Sequence, residues 1–366
     1  MTEKTMHFIE QVKTAKQLVF YGAQVYTYSL YAALKIQLDF CVFCFAVTDT
    51  NNNPNAIDGI EVKALSDLPD SLRNSLVVIA IPKPYHDEVV GYLSQKGFSN
   101  WIAVTADVHS EIMDEYWKKT DPSYCRLFDL SVSESNDAGT TMEIYVACNI
   151  NDKELKESYE HKEPFRVIQS GAALTDKRIS DIADNVGENI SKRNMNYSEI
   201  SATYWLWKNS DAEYVGLNHY RRILRLPENT AGILSHNNFD GILPTPVLVY
   251  PNADAHHAWY IKKDDWDCAM TVFRDMYPDD YLKAREFFSG QKFYLHNIWV
   301  LRRNHADAFC EWLFNLLFEI EKRTMYCGDS RTDRYLGYIA ENLTALYFNI
   351  RKRHLKIAHT DEMWLR

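Results

Sequence analysis

The stretch Tyr214-Val215-Gly216-Leu217-Asn218-His219-Tyr220-Arg221-Arg222 decides how this sequence folds. It begins with small and apolar residues, as a short buried strand does, and it ends in polar and doubly basic residues. In open α/β sheets, ligands bind beyond the carboxyl ends of the strands. The end of this strand is therefore where a diphosphate can meet Arg221 and Arg222, because guanidinium groups pair with phosphate oxygens at two points. An isolated Arg-Arg pair, however, is more typical of a solvated surface.

A polar turn and a helix precede this strand. The turn reads Asp184-Asn185-Val186-Gly187-Glu188-Asn189-Ile190-Ser191 and is rich in groups that can hydrogen-bond a uracil, a ribose or a sugar. Residues 198–209 predict the helix, with Trp205 and Trp207 in its second half. Residues two apart on a helix point in different directions, so at least one of these tryptophans belongs to the core.

The strand, turn and helix belong to a part of the chain that begins after a linker. Residues 131–141 are small and polar, which predicts the linker. Residues 142–148 predict a new strand, and further helices are predicted at 306–322 and 335–351. The first of these two helices carries apolar residues at helical spacing, a pattern typical of a buried stripe. The sequence therefore indicates two α/β parts, residues 1–130 and residues 142–366.

The N-terminal part alternates strand and helix signals in the manner of a small parallel α/β domain. Its predicted strands are 18–22, 40–47, 76–81 and 101–104, and its predicted helices are 25–34 and 85–96. A glycine turn after the first strand and Asp49 after the second are typical of dinucleotide binding. However, the turn after Gly22 reads Ala23-Gln24, so the second and third glycines that admit a pyrophosphate are missing. A structural or partner-binding Rossmann-like module is the favoured interpretation.

Composition narrows the classes of function. The net charge of the chain is -10, which argues against a nucleic-acid partner, because neutralising phosphates requires a basic surface. No stretch approaches the roughly 20 apolar residues that span a bilayer, and the N-terminus lacks the pattern of a signal peptide. We therefore expect a cytoplasmic protein. The basic stretch Arg351-Lys352-Arg353-His354 leaves peripheral attachment to the inner face of the membrane open, because it can attract anionic lipids.

Three groups of motifs between about Ile144 and Glu341 resemble a bacterial family of polysaccharide-biosynthesis domains. This family was long catalogued as a domain of unknown function and was later associated with glycosyl transfer, including galactofuranosyl transfer. The resemblance rests on Asp184-Asn185 with Glu188-Asn189-Ile190-Ser191, on Tyr204-Trp205-Leu206-Trp207-Lys208-Asn209, and on Tyr214-Val215-Gly216-Leu217 with His219-Tyr220-Arg221-Arg222. Weaker matches are Asn297, Arg334 and Gly337-Tyr338-Ile339-Ala340-Glu341.

The resemblance implies a GT-A-like glycosyltransferase domain over residues 142–366, after the Rossmann-like module of residues 1–130. The reaction would transfer a hexosyl group, galactofuranosyl in particular, from a UDP-sugar to a saccharide or lipid-linked glycan during synthesis of capsule, O-antigen or exopolysaccharide. Most GT-A enzymes hold Mn²⁺ or Mg²⁺ on the diphosphate with an Asp-x-Asp motif. This sequence has Asn218-His219-Tyr220 at that place. Either the arginines replace the metal, or His219 and a carboxylate from elsewhere in the chain bind Mn²⁺ or Mg²⁺ in a less typical way. We favour a reduced need for a metal and assign no metal ligand.

The expected site residues fall into three groups. The donor group comprises Asp184, Asn185, Asn189, Lys208, His219, Arg221 and Arg222. The acceptor group comprises Trp205, His296 and Asn297. An inverting transferase also needs a base that takes the acceptor hydroxyl proton. The candidates for this base are Asp240, Asp333 and Glu341, and the sequence does not separate them.

Two other functions remain open at this stage. One is a nucleotide-sugar oxidoreductase that uses the N-terminal sheet, which the incomplete glycine pattern disfavours. The other is a non-catalytic scaffold that recruits assembly enzymes through its N-terminal module. The formation of a homo-oligomer is also left open by the sequence.

Overall fold

The computed structural model describes residues 1–131, 139–155, 160–324, 332–351 and 353–365. Most of the predicted linker and Lys352 of the basic C-terminal stretch lie outside these residues. The chain forms two compact units. The first comprises Met1–Pro122, Val247–His256 and Gln291–Phe293, and the second comprises Ser123–Pro246, His257–Gly290 and Tyr294–Arg366. Within the described residues, no helix combines the length and the apolar character needed to cross a bilayer.

The first unit is built around a mostly parallel sheet, as the sequence predicts. Its strands run in the order β3-β4-β2-β1-β5-β6, and every neighbouring pair is parallel except β3 and β4. The strands are β1 (Leu18–Tyr21), β2 (Val42–Val47), β3 (Ala56–Ile57), β4 (Ile60–Ala64), β5 (Leu76–Ile79) and β6 (Trp101–Ala103). All residues of β1 and β5 are buried, as expected for continuous apolar strands covered on both faces.

Four helices and a short hairpin complete the first unit. The helices are α1 (Glu3–Thr14), α2 (Val25–Gln37), α3 (His86–Gln95) and α4 (Ala106–Thr120). The hairpin pairs β13 (Val247–Leu248) with β14 (Lys292–Phe293), which come from a much later part of the chain. Ser29 Oγ on α2 lies 2.9 Å from Leu248 N and 3.0 Å from Leu248 O. The predicted boundary at residue 130 does not include these later segments, because such long-range bonds leave no local pattern.

Side chains pack closely against the glycine turn of the first unit. Gly22 has φ +117°, and a Cβ at this position would overlap Thr27 Oγ1 and lie 2.8 Å from Ile81 Cγ2. The Thr27 hydroxyl itself donates to Ala80 O at 2.6 Å. Only glycine therefore fits at position 22, because Thr27 and Ile81 occupy the space beside it.

The second unit contains a larger mixed sheet with the order β16-β12-β15-β10-β7-β8-β9. β11 pairs with both β10 and β17 beside this path. The parallel pairs are β10 with β7, β7 with β8, β8 with β9, and β12 with β16, whereas β15 is antiparallel to β10 and β12. The strands are β7 (Met142–Cys148), β8 (Phe165–Gln169), β9 (Ile182–Ala183), β10 (Tyr214–His219), β11 (Arg222–Leu224), β12 (Gly241–Pro244), β15 (Trp299–Arg302), β16 (Ile357–Thr360) and β17 (Glu362–Trp364).

Helices cover this sheet and supply its core. They are α5 (Asn194–Tyr197), α6 (Ile200–Asn209), α7 (Thr230–His236), α9 (Lys263–Met276), α10 (Tyr281–Ser289), α11 (Arg303–Thr324) and α12 (Tyr335–Arg351), and the short helix α8 (Ala253–His257) precedes α9 in the chain. The predicted apolar stripe of α11 is buried, with Phe309, Leu313 and Leu316 each 0% exposed. The predicted α/β class, with a small parallel sheet and a larger second sheet, is confirmed.

Gly216 lies in the middle of β10, where the neighbouring strand β15 approaches closely. A Cβ at this position would overlap the carbonyl oxygen of Trp299 and lie 2.8 Å from Val300 Cγ2. Gly216→Ala should therefore lower the free energy of unfolding by about 1–3 kcal/mol, as overpacking does. Gly91→Ala on α3 is the matched control, because a Cβ there meets nothing within 4 Å and alanine favours a helix. Urea unfolding that showed equal stability of both variants would contradict this packing.

Candidate functional site

The site lies at the carboxyl edge of the parallel strands of the second unit. β7, β8, β9 and β10 run in the same direction, so the segments that follow them meet at one edge. Asp152 follows β7, Gly171 follows β8, Asp184 follows β9, and His219 ends β10. The sheet therefore brings four separate parts of the chain to one place, as expected for open α/β sheets.

Asp184 holds this edge together from inside the protein. Its side chain is fully buried, and its carboxylate accepts hydrogen bonds from Gly171 N and Ala172 N, both at 2.9 Å. The hydroxyls of Ser191 and Ser201 donate to the same carboxylate, Ser201 at 2.6 Å. The predicted donor-site residue Asp184 thus fixes the turns that surround the site, because both of its oxygens already have protein partners.

The turn between β10 and β11 presents the two predicted arginines. The guanidinium group of Arg221 lies 5.0 Å from the centre of the Tyr220 ring, and that of Arg222 lies 4.6 Å from the centre of the Trp364 ring. Both side chains are partly buried, and each Nε atom is buried without a hydrogen-bond partner among the described residues. Across the same residues, neither guanidinium takes part in an ion pair. A buried cation without a partner is costly, so this turn is suited to an anion.

His219 lies beside the arginines and is neutral near pH 7. Burial, together with the nearby Arg222, His296, Arg221 and Arg334, lowers the pKa of His219 to about 3. Its Nδ1 atom accepts a hydrogen bond of 3.3 Å from Arg221 N, which orients the ring in the turn. His219 can therefore act as a neutral hydrogen-bonding group while the arginines supply the positive charge.

Carboxyl groups lie near Arg221 and Arg222, but none of those described forms an ion pair with either arginine. Burial raises the pKa of Asp152, while Arg334 and Arg221 oppose that rise. Burial also raises the pKa of Glu341, which His296 and Arg222 counteract. Burial lowers the pKa of Arg222, and Glu362 is the strongest group that opposes this shift. The site is thus a partly buried edge of the sheet where the arginines and these carboxylates influence each other without forming ion pairs among the described residues.

Strained backbone concentrates at this edge. Ser198, His296, Asn297 and Arg334 all have φ between 52° and 74°, a region that non-glycine residues avoid. Such conformations cost free energy and persist only where the surrounding bonds impose them. For His296 those bonds are its own N–H donating to Glu341 Oε1 at 3.0 Å and its Nδ1 lying 3.1 Å from Glu362 Oε2.

Asn297 supports the site from behind. It is 2% exposed, and its Nδ2 donates to Glu199 Oε1 at 2.8 Å and to Gly337 O at 3.3 Å. Its Oδ1 accepts from Thr344 Oγ1 at 3.2 Å. The amide of Asn297 thus joins the start of α6, α12 and the segment before β15, and its contact with the acceptor stays a prediction.

The strand β17 supplies two side chains that the sequence analysis missed. Glu362 and Trp364 are two residues apart on this strand, so they share one face. Glu362 reaches His296, and Trp364 lies under Arg222, which it faces across the β11–β17 pairing. No local pattern in the sequence indicates this, because β17 joins the sheet by pairing with β11, far back in the chain.

Other predicted donor and acceptor residues lie in the polar turn and on α6, which follows it. Asn189 Nδ2 donates to Gly187 O at 2.8 Å, and its Oδ1 accepts from Ser191 N at 3.2 Å. Asn185 is half-buried beside Asp184. On α6, Trp205 Nε1 donates to Val186 O at 2.7 Å, and the Trp205 ring packs against Tyr145. Trp205 therefore holds the polar turn, and its contact with the acceptor stays a prediction.

Lys208 lies near the C-terminal end of α6. It is nine residues from Glu199, which corresponds to roughly 13 Å along the helix. Its Nζ is 3.4 Å from the centre of the Trp207 ring and 3.8 Å from Glu188. These contacts place Lys208 beside the polar turn that contains Glu188, and its role in donor binding stays a prediction.

The three candidate bases lie in different places. Asp240 precedes β12 and bonds Lys356 N at 2.8 Å and His305 Nε2 at 3.2 Å, at the edge where β10 begins. The length of β10, roughly 16 Å, separates it from the arginines, which argues against Asp240 as the base. Asp333 lies 3.1 Å from Lys262 Nζ on the surface. Of the three candidates, Glu341 lies within the site.

The residues at the site do not form a typical metal centre. Asn218, at the place of the first Asp of an Asp-x-Asp motif, is fully buried, and its amide is placed to bond Leu217 O and Leu224 N. The described ranges contain no group of three or more His, Cys, Asp or Glu side chains arranged around a common point. The residues present thus do not fit the usual Mn²⁺ or Mg²⁺ site, and no step below depends on a metal.

Comparison with known proteins agrees with this architecture. The family model described as "Domain of unknown function (DUF4422)" matches residues 143–353. Among solved structures, a chain described as the apo structure of the WbbM bifunctional glycosyltransferase superposes with a TM-score of 0.50 at 22% identity. The superposition covers 62% of this chain and 45% of that chain, so this protein spans less than half of that relative. The superposition shows that the two chains share a fold over the part that is covered. No curated protein matches the sequence.

The hydrogen bonds of Asp184 should contribute to the stability of the protein. Asp184→Asn leaves an NH₂ group facing backbone or hydroxyl donors, so we expect the free energy of unfolding to fall by about 1–3 kcal/mol. Asp181→Asn is the matched control, because Asp181 is exposed and three residues earlier. Chemical unfolding measures both variants. Equal stability of the two would show that Asp184 does not hold the edge.

His219 should make the protein sensitive to acid. The unfolded chain binds a proton at His219 near pH 6.5, whereas the folded chain resists protonation down to about 3. The contribution of His219 to the free energy of unfolding is therefore fully present above about pH 6.5. It is lost as the pH falls toward about 3, by at most about 1.4 kcal/mol per pH unit. His219→Gln should flatten the decrease in free energy of unfolding between pH 6.5 and 4. An unchanged slope would contradict the buried, neutral state of His219.

Proposed function

The chain belongs to the DUF4422 family, and we propose that it is a glycosyltransferase that moves a hexosyl group, galactofuranosyl in particular, from a UDP-sugar to a saccharide acceptor. The observation that carries this proposal is the pair Arg221 and Arg222. Their guanidinium groups are partly buried at the carboxyl edge of a parallel sheet, and they have no ion-pair partner within the described part of the chain. The shared fold with a glycosyltransferase supports the same interpretation.

An unpaired arginine fork at this position suits a nucleoside diphosphate. Each guanidinium offers several N–H donors in one plane, which match the oxygens of a diphosphate. When the bond between the sugar and the diphosphate breaks, negative charge grows on the leaving oxygen. Arg221 and Arg222 stabilise that charge from fixed positions, so they lower the barrier without rearranging at the moment of reaction.

The surrounding segments divide the site between the two substrates. The turns held by Asp184, together with Asn185 and Asn189, lie on the side of β8 and β9 and suit the nucleoside of the donor. His296, from the segment before β15, lies on the other side of β10 with Glu341 and suits the acceptor. In this arrangement the acceptor hydroxyl approaches the donor sugar from the side of the site that carries the carboxylates.

A nucleotide-sugar oxidoreductase is less consistent with these observations. That function needs a pyrophosphate cradle in the first unit, where the Thr27 side chain fills the space beside Gly22. A scaffold without catalysis has no need of buried arginines without partners. The family's acceptor would be a growing capsule, O-antigen or exopolysaccharide chain, and a membrane carrier would bring that chain to a cytoplasmic enzyme.

Binding of UDP should depend on the arginine turn. We expect UDP and UDP-galactofuranose to raise the Tm, by an amount equivalent to about 2.7 kcal/mol at 100 times the Kd. Arg221→Ala should weaken UDP binding about 10- to 100-fold, because it removes charge-assisted hydrogen bonds worth roughly 1.5–3 kcal/mol. Arg285→Ala on the exposed face of α10 is the matched control and should bind UDP normally.

Thermal shift and isothermal titration calorimetry check this expectation, with NAD and GDP-sugars as competing ligands. Each variant is compared with its own ligand-free Tm, so that a general loss of stability is not mistaken for lost binding. Equal UDP affinity of Arg221→Ala and wild type would contradict the proposed diphosphate site. A rise in Tm with NAD alone would favour the oxidoreductase.

A further inference from the structure

We propose that His296, held by Glu362, is the base that takes the proton from the acceptor hydroxyl. This inference rests on the proposed glycosyltransferase function and concerns a step for which Asp240, Asp333 and Glu341 were the candidates from sequence. It differs from those assignments because the proton acceptor is an imidazole and its partner carboxylate comes from the last strand, β17. The pair is called the His296–Glu362 dyad below.

The geometry of the dyad defines the tautomer of His296. Nδ1 lies 3.1 Å from Glu362 Oε2 and 3.3 Å from Glu362 Oε1, so it faces both carboxylate oxygens. A carboxylate accepts hydrogen bonds, and Nδ1 therefore carries the proton. This leaves the lone pair on Nε2, which makes no hydrogen bond with any of the described residues. A neutral imidazole whose far nitrogen is held by a carboxylate is the arrangement that suits a general base.

The dyad is held rigidly and close to the arginine turn. The backbone of His296 is in the left-handed region at φ 74°, and its N–H is fixed by Glu341 Oε1 at 3.0 Å. Its ring meets the Trp364 ring in a perpendicular contact, with centres 5.7 Å apart, and Trp364 also lies under Arg222. One indole ring therefore joins the proposed base to the proposed diphosphate site.

Glu341 is less suited to the same step. Its Oε1 already accepts the backbone N–H of His296, so it supports the strained segment. Truncation or neutralisation of Glu341 is therefore expected to act through His296. In our account Glu341 and Glu362 are positioning residues, and His296 alone contacts the reacting hydroxyl.

The proposed step balances in atoms and charge. The acceptor oxygen forms a bond to the anomeric carbon of the donor sugar, and its proton passes to His296 Nε2. The bond between the anomeric carbon and the diphosphate oxygen breaks, and its electron pair leaves with UDP, whose charge is met by Arg221 and Arg222. The imidazolium that forms is stabilised by the Glu362 carboxylate at 3.1 Å. Release of the proton to water restores the neutral base.

Several ionisable groups face the dyad. They are Glu362 from β17, Glu341 from α12, Arg222 from β11 and the neutral His219 from β10. Activity should fall in acid, because a base must be unprotonated to take the hydroxyl proton. Removing the Glu362 charge should slow the reaction, because Nδ1 then loses the carboxylate that orients the ring.

The test is the pH dependence of UDP release by the full chain, with UDP-galactofuranose as the donor and octyl galactoside as the probe acceptor. His296→Gln should lower kcat about 10²- to 10⁴-fold, with a nearly unchanged KM for the donor, and should lose the acid limb. Glu362→Gln should lower kcat less, with a nearly unchanged KM for the donor, and should keep an acid limb, because His296 is still present. Glu341→Gln should keep an acid limb.

His305→Gln is the matched control. His305 also lies beside a carboxylate, 3.2 Å from Asp240, but at the opposite edge of the sheet, so this variant should keep the wild-type kcat and pH profile. UDP binding, measured by calorimetry, shows that each variant is folded. An active His296→Gln with a wild-type profile, or loss of the acid limb only in Glu341→Gln, would overturn the dyad while leaving the transferase intact. A wild-type protein that binds no UDP and releases none would overturn the proposed function itself.

Discussion

The parallel pairing of β10 with β7 is the constraint on which the rest of the second unit depends. This ladder joins Tyr214–His219 to Met142–Cys148 and fixes the direction of both strands. Because β8 and β9 continue in the same direction, their following turns arrive at the edge where β10 ends. Asp184 then ties these turns together with one fully buried carboxylate. Without the shared strand direction, the arginine turn and the polar turn would lie at opposite edges.

The second feature that organises the site is that its two arginines form no ion pair with the described carboxylates around them. Arg221 opposes the rise in the pKa of Asp152, Arg222 opposes that of Glu341, and Glu362 opposes the fall in the pKa of Arg222. None of the described carboxylates forms an ion pair with either arginine. The strained backbone of His296 keeps its neighbours in place, since relaxing it would release the bond to Glu341. Such an arrangement is unfavourable for an empty protein and favourable for one that binds an anion, which links the local strain to the proposed function.

Sequence patterns predicted the elements of the fold well, because they are local. The apolar runs of β1, β5 and β10 and the helical stripe of α11 can be read directly from residue order. The arginine turn was also predictable, since a strand that ends in basic residues signals its own carboxyl end. The position of Asp240 at the edge where β10 begins was not predictable, because it depends on β15 running antiparallel between β12 and β10, which no local pattern encodes.

The supporting residues of the site were the least predictable part. Trp205 and Asn297 carry chemistry that suits a ligand, but their polar atoms are used by Val186, Glu199 and Thr344. Glu362 was missed because it reaches His296 only after β17 has paired with β11. The hydrogen-bond partner of a side chain is a property of the folded chain, and so is the pairing of a C-terminal strand such as β17 with an earlier one. Residue order alone reveals neither.

A crystal structure of the protein with UDP bound would test the central claim most directly. The account predicts that the diphosphate oxygens lie within hydrogen-bonding distance of the guanidinium groups of Arg221 and Arg222, with the nucleoside over the turn held by Asp184. A diphosphate bound in the first unit, or bound in the second unit without contact to either arginine, would contradict the account.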